Sequence, residues 1–159
     1  MNTAHRMASH AKRQARDPFA IYKVLGRVKG FSEAEQAQLN LPVRLAYDAL
    51  RNGKAEEGDF HTLAAAVNVA MICAEHISGD GGPMVEHACI LARDAMVRVL
   101  QRHQRTGKWG FDGPGLAEVL QGVEIYEQLT SLLTGQQLKE AMTECIRRVD
   151  AGLTLGGVA

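Results

Sequence analysis

The chain has few aromatic residues, few prolines and no long apolar run. Phenylalanine, tryptophan and tyrosine make up 5% of its 159 residues, and proline occurs four times. Alanine, leucine, valine, glutamate and glutamine are abundant instead, which favours helices over strands. No apolar run approaches the ~18 residues that crossing a bilayer requires, and the polar, basic N-terminus lacks the apolar segment of a secretory signal. We therefore expect an all-α, cytoplasmic protein with no membrane partner.

Sequence motifs of common enzymes are also missing. G-x-G-x-x-G, G-x-S-x-G and C-x-x-C do not occur, and Gly107-Lys108-Trp109 lacks the serine or threonine that follows the lysine of a phosphate-binding loop. The three cysteines, Cys73, Cys89 and Cys145, lack metal-ligand spacing and lie among apolar residues, as small buried hydrophobic residues do. We expect a non-enzymatic protein without a cofactor or a metal ion.

Two Glu-His pairs are the one arrangement that resembles a metal or acid–base site. Glu75-His76 lies near the end of the first long predicted helix and Glu86-His87 near the start of the second, so a helical hairpin brings both pairs to one end. The Glu-x-x-His spacing of di-iron bundles is absent, and the same residue types complement helix dipoles. The sequence leaves a site open here and favours the dipole explanation.

Capping residues, turn residues and apolar periodicity predict an antiparallel bundle of four main helices with short N-terminal helices. Ser32-x-x-Glu35 and Thr134-x-x-Gln137 have the form of capping boxes, and Asp59 is a predicted N-cap. Tight turns between long helices favour antiparallel neighbours. The predicted helices cover residues 32–39, 42–52, 59–78 and 83–106, a stretch that begins after residue 115, and residues 134–152.

The charge is unevenly distributed along the chain. Residues 1–29 contain seven basic residues and one acidic residue, although the net charge of the chain is zero. We expect residues 1–18 to form a flexible basic tail, residues 19–152 a single domain and residues 153–159 a flexible C-terminal tail. A basic tail of this kind binds nucleic acid, docks on an acidic partner, folds back on its own domain, or only keeps a terminus solvated.

A second basic stretch lies in the second half of the 83–106 helix. Arg98, Arg102 and Arg105 share a helix face, and Lys108 and Trp109 follow. Such a face could contact phosphates while the indole stacks on a base. The alternative is that the cations complement a helix C-terminus and the aromatic rings cover the end of the bundle. The predicted residues for binding nucleic acid or a partner are Arg13, Arg16, Arg98, Arg102, Arg105, Lys108 and Trp109.

A helix-turn-helix over residues 31–52 is a weaker hypothesis. The two predicted helices lie close together, and Arg44 and Arg51 could reach DNA. The usual glycine of the turn is absent, and the second helix is more apolar than a helix that reads a DNA groove.

Several segments resemble small helical proteins carried by proteobacterial prophages and plasmids, a group with no assigned activity. The resemblance covers residues 40–152 and includes Arg105-Thr-Gly-Lys-Trp-Gly-Phe-Asp-Gly, Ile125-Tyr-Glu-Gln-Leu, residues 138–148 with Arg147-Arg148, and Asn68. Its most distinctive part is residues 106–113. The resemblance implies an origin in a mobile element, and it assigns no catalytic residue.

Two functions follow as expectations. The first is a non-enzymatic accessory protein that binds a host or mobile-element protein, for example an inhibitor of a host defence system. The second is a nucleic-acid-binding regulator that uses the N-terminal tail and the Arg98/Arg102/Arg105 face. Alanine- and leucine-rich faces would also suit a homodimer, and the sequence does not place its interface.

Overall fold

The structure is a computed structural model that describes residues 30–77 and 81–153. The predicted tail at residues 1–18, with Arg13 and Arg16, and residues 154–159 lie outside these ranges. The described residues form five α-helices, which confirms the all-α class, and none of these helices is long and apolar enough to cross a membrane. The helices are α1 (Glu33–Arg51), α2 (Glu57–Ala74), α3 (Gly81–Thr106), α4 (Gly113–Leu132) and α5 (Gly135–Asp150).

Helix α1 is continuous through Pro42, so the prediction of two short helices was wrong. The proline removes one backbone hydrogen bond, which costs about 3 kcal/mol inside a helix. Burial of a large apolar side chain contributes about 1.5–3 kcal/mol, and the helix keeps one buried face on both sides of the proline, so this burial offsets the cost. The buried residues of α1 are Leu39, Val43, Ala46, Tyr47 and Leu50.

The continuity of α1 also overturns the helix-turn-helix hypothesis. No turn separates the two halves of residues 33–51. Arg44 is also held within the fold, because its guanidinium donates to both carboxylate oxygens of Glu127 on α4. Beside Pro42, the hydroxyl of Thr130 donates to Asn40 Oδ1 at 3.0 Å, and this contact fixes the middle of α1 against α4.

Helix α2 is the centre of the molecule. Fourteen of its 18 residues are buried, whereas the sequence periodicity predicted a single buried face. A helix that is apolar on all sides is enclosed by others, and α2 packs against each of the other four helices. Its N-cap is Glu56 and not the predicted Asp59, whose carboxylate instead accepts a 2.8 Å hydrogen bond from the Glu56 N–H.

Helices α3 and α4 approach each other closely at Gly122. A Cβ atom on Gly122 would lie 2.7 Å from the Cβ of Ala92 and 3.4 Å from Cγ2 of Val67. Real Cβ atoms do not approach this closely, so the absence of a side chain at Gly122 lets α4 lie against both α2 and α3.

The two predicted capping boxes are present. Ser32 and Glu35 cap the start of α1, and Thr134 and Gln137 cap the start of α5. Each box satisfies backbone donors that a helix N-terminus leaves free. Thr134 also pairs with Gly30 in an isolated antiparallel β-bridge, which ties the first described residue to the start of α5.

Candidate nucleic-acid interface

Two helix C-termini meet beside one recess. The end of α1, with Arg51 and Gly53, and the end of α3, with Arg102 and Lys108, line a recess of about 400 Å³. Gly107 closes α3 with φ of 70°, a left-handed conformation that favours glycine, and the chain turns there toward Lys108. Three cationic side chains, from the ends of two helices, therefore line one recess.

Most of the described lysines and arginines that form no ion pair lie at this end. Among the described residues, five of the eleven lysines and arginines form ion pairs, all of them arginines. Of the six others, Lys139 belongs to α5 and the remaining five lie at the ends of α1 and α3. We call these five the cationic end: Arg51, Lys54, Arg102, Arg105 and Lys108.

Arg98 was predicted to share this surface, but its guanidinium is held within the fold. It donates to Oδ2 of Asp112 at 2.6 Å and to Glu118 on α4. The hydrogen bond from Arg98 lowers the pKa of Asp112, and the same bond raises the pKa of Arg98. Arg98 therefore joins α3 to the start of α4, and two carboxylates offset its charge.

Trp109 is half-buried and stacked inside the protein. Its ring centroid lies 3.7 Å from that of His103, with 4° between the ring planes, and 4.9 Å from that of Phe60, with 25° between the planes. These contacts join the end of α3 to the start of α2. The geometry matches the alternative in which the indole covers the end of the helices and contributes to packing.

Arg102 and Arg105 are exposed in the last turns of α3. One contact of Arg102 is a 3.3 Å hydrogen bond from Nη1 to the carbonyl of Phe111, which leaves the other guanidinium donors free for a ligand. Arg105 and Lys108 form no ion pair with a described residue. All three side chains can approach a phosphate without breaking an internal ion pair.

Acidic residues lie at the same end, on the side of α2. Glu56 and Glu57 are exposed at the start of that helix, and Asp59 is buried in its capping box. Acidic residues suit a helix N-terminus and basic residues suit a C-terminus. The recess itself is lined by Arg51, Arg102 and Lys108 and by one carboxylate, that of Asp112, which is paired with Arg98.

The two Glu-His pairs do not form a metal cluster. Among residues 30–77 and 81–153, no group of three or more histidine, cysteine, aspartate and glutamate side chains could hold a metal ion. The carboxylate of Glu75 is used in the fold, because Arg148 donates to its two oxygens at 2.6 and 2.7 Å. Glu86 and His87 are exposed on α3.

The cysteines are buried and unpaired, as the sequence predicted. Burial raises the pKa of Cys73 and of Cys145 to about 11 and that of Cys89 to about 12. Each thiol is therefore protonated near neutral pH, and a thiol that is not ionised is a poor nucleophile.

Arg51 and Lys54 were not predicted as members of the site. Arg51 belongs only to the helix-turn-helix hypothesis, and Lys54 lies between the predicted helices 42–52 and 59–78. A basic residue just before a helix-ending glycine was the available signal, because Gly53 predicts where α1 stops. That the end of α1 lies near the end of α3 can be seen only in the tertiary structure.

No family model, no curated protein and no solved structure matches the chain. The class that the structure defines is an all-α protein, and its proposed function rests on the residues described above.

Proposed function

We propose that the protein is a non-enzymatic, nucleic-acid-binding protein that contacts the phosphate backbone through its cationic end. The observation that carries the proposal is the convergence of Arg51, Arg102 and Lys108 on one recess, where none of them forms an ion pair with a described residue. Like charges repel when they are held together. A bound polyanion would offset that repulsion and release its counterions.

The proposed contact is to the backbone and does not read sequence. Arginine and lysine donors suit phosphate oxygens, and such contacts position a protein without distinguishing bases. The ring of Trp109 is stacked on His103 and Phe60, so base stacking on that residue is not part of the proposal. Arg13 and Arg16, predicted from the sequence alone, would add phosphate contacts from outside the described residues.

Charge reversal at the recess tests the proposal. Binding of a fluorescein-labelled 20-base-pair duplex and of the corresponding single strand is measured by anisotropy at low salt. The variant Arg102→Glu/Lys108→Glu should bind at least tenfold more weakly than the unmodified protein, because two attractive contacts become repulsive. Lys139→Glu is the control for charge and is compared with the single variants Arg102→Glu and Lys108→Glu, which change the net charge equally. Lys139 is also exposed and forms no ion pair with a described residue, but it belongs to α5.

The outcome separates nucleic acid from other partners. Equal affinities for Lys139→Glu and the single variants Arg102→Glu and Lys108→Glu would show that the recess is not the nucleic-acid contact. If the protein binds neither oligonucleotide at low salt, the cationic end has a different role, and an acidic protein surface is the next candidate.

A protein partner from the host or from a mobile element is the second candidate function. Leu41 and Leu45 on α1 are 57% and 54% exposed and lie four residues apart, so they share a helix face. Exposed apolar patches mark protein-interaction sites, and these two leucines are the apolar part of α1 that such a partner would contact. A pull-down with and without nuclease separates the two functions. A complex that survives nuclease and is lost in Leu41→Asp/Leu45→Asp supports the protein partner, and capture that vanishes with nuclease supports nucleic acid.

For the arrangement of the helices we propose an antiparallel bundle built from α2, α3, α4 and α5, with α1 packed against it. Contacts between α3 and α4, between α2 and α3, and between α2 and α4 support it, as do the short connections between successive helices. Small-angle scattering and an experimental structure would test this arrangement.

A further inference from the structure

A second cavity lies at the opposite end of α2 from the cationic end. It has a volume of about 670 Å³, and its lining includes apolar residues of three helices, among them Ile72 of α2, Leu129 of α4 and Ala141 of α5, together with Leu133. Polar residues at its rim include Glu75, Glu140, Glu144 and Arg148. We call this cavity the α5 groove. Apolar cavities of several hundred Å³ with a few polar groups are typical binding sites.

The charged groups at the rim differ in whether they form ion pairs. Arg148 donates to Glu75 and also to Glu144, at 2.7 Å, so these three groups form one network. Glu140 forms no ion pair with a described residue and accepts one hydrogen bond of 2.8 Å from the side-chain amide of Gln136. The Glu140 carboxylate therefore lies beside an apolar cavity and can pair with a cation.

The first described residue lies at one edge of this groove. Gly30 forms a backbone bridge with Thr134, the residue between Leu133, which lines the groove, and the first turn of α5. This bridge places Gly30 next to Leu133 and the start of α5. Residues 19–29 read Phe-Ala-Ile-Tyr-Lys-Val-Leu-Gly-Arg-Val-Lys, so they contain six large apolar residues and three basic ones.

We propose that the α5 groove is the docking site for residues 19–29 of the same chain. Apolar side chains of that segment bury against Leu129 and Leu133, and one of its three basic residues pairs with Glu140. The reach is sufficient: eleven extended residues span about 36 Å, whereas α5 from Thr134 to Arg148 is about 21 Å long. The proposal is independent of the function of the cationic end.

The test measures how well the segment protects a thiol in the groove. Ile77 lines the groove and is 36% exposed, so Ile77→Cys is introduced into the full chain, and its reaction with a maleimide is followed by mass spectrometry. Adding Phe19→Asp and Leu25→Asp should raise the reaction rate about tenfold, the factor that corresponds to a docking free energy of about 1.4 kcal/mol. The control is Leu45→Cys, at an exposed position of α1. Its thiol should react at the same rate with and without the two aspartate substitutions.

Each outcome of the thiol reaction supports or contradicts docking of residues 19–29 in the α5 groove. An unchanged rate at position 77 overturns the proposal, and so does protection that weakens on dilution, because a second copy would then supply the segment. If both thiols react faster, the aspartates have disturbed the fold as a whole. Nuclear Overhauser contacts in the unmodified protein then decide, because cross-peaks from the Tyr22 or Phe19 ring to the Leu133 methyl groups are expected and their absence contradicts docking.

Discussion

Asp112 contacts Arg98 with one carboxylate oxygen and caps α4 with the other. Oδ2 accepts a 2.6 Å hydrogen bond from Nε of Arg98, and Oδ1 accepts a 2.8 Å hydrogen bond from the N–H of Gly115. The residue thus starts α4 and joins it to α3 at the edge of the cationic end. Its role is structural, and it also offsets part of the positive charge that Arg98 would present to a phosphate.

Substitutions at Asp112 should separate these two contacts. Asp112→Asn keeps an oxygen for the cap and loses the ion pair, which is partly exposed and contributes about 1 kcal/mol or less. Asp112→Ala loses both, and loss of an N-cap costs a further ~1 kcal/mol. Chemical denaturation should therefore rank the free energy of unfolding as unmodified, then Asn, then Ala. Equal values for the two variants would show that the cap contributes nothing.

Acid should destabilise the protein through its paired carboxylates. Hydrogen bonds from arginines lower the pKa of Asp112 and of Glu75, and those from Arg147 and Arg148 lower the pKa of Glu144 to about 2. A lowered folded-state pKa stabilises the fold above the unfolded-state value, and this contribution is lost as the pH falls through the folded-state value. The free energy of unfolding should be level from pH 7 to about pH 5 and fall below about pH 4.

Arg148→Gln provides the control for the acid prediction. It removes the arginine partner of Glu75 and one of the two partners of Glu144. Denaturant midpoints measured between pH 7 and pH 2.5 should change less in this variant than in the unmodified protein. An equally steep loss in both would mean that other groups cause the acid dependence.

Gly122 should not tolerate a methyl group. Gly122→Ala places its Cβ against Ala92, so α3 and α4 must separate, and overpacking of this kind costs about 1–3 kcal/mol. Gly113→Ala is the matched control in the same helix, because a Cβ there meets nothing within 4 Å. Thermal unfolding should show a clear loss for Gly122→Ala and no loss for Gly113→Ala. Similar melting temperatures for the two would contradict the close approach.

Trp109 should affect stability more than binding. Trp109→Ala removes the stack with His103 and Phe60, and we expect a loss of about 2 kcal/mol in the free energy of unfolding, below the cost for a fully buried aromatic residue. At a temperature where the variant is folded, its affinity for the labelled duplex should stay within about threefold of the unmodified protein. A tenfold loss of affinity in a folded variant would show that Trp109 is part of the binding surface.

Local signals in the sequence predicted the helical class, both capping boxes and the buried cysteines. These features depend on residues within one or two helical turns. Pro42 was misleading for the same reason, because its local cost is real but is offset by apolar contacts that α1 makes with distant segments. For α2 the apolar periodicity predicted one buried face, whereas the fold buries the helix on nearly all sides.

The composition of the candidate site depended on tertiary contacts. Arg98, Arg102 and Arg105 share a helix face in the sequence, yet Arg98 meets Asp112 and Glu118 while the other two do not form ion pairs with described residues. Arg51 and Lys54 join the site because α1 ends beside α3. Neither the ion pairs of Arg98 nor the position of α1 beside α3 can be inferred from the spacing of residues along one helix. The predicted mobile-element origin, the cytoplasmic location and a role against host defence remain predictions.

The salt dependence of duplex binding tests the central claim most directly. Dissociation constants for the unmodified protein, Arg102→Gln and Lys139→Gln are measured across a series of salt concentrations. Each lost phosphate contact should reduce the slope of log affinity against log salt by about 0.9. We expect that reduction for Arg102→Gln and none for Lys139→Gln. Identical slopes for all three proteins would contradict phosphate binding at the cationic end.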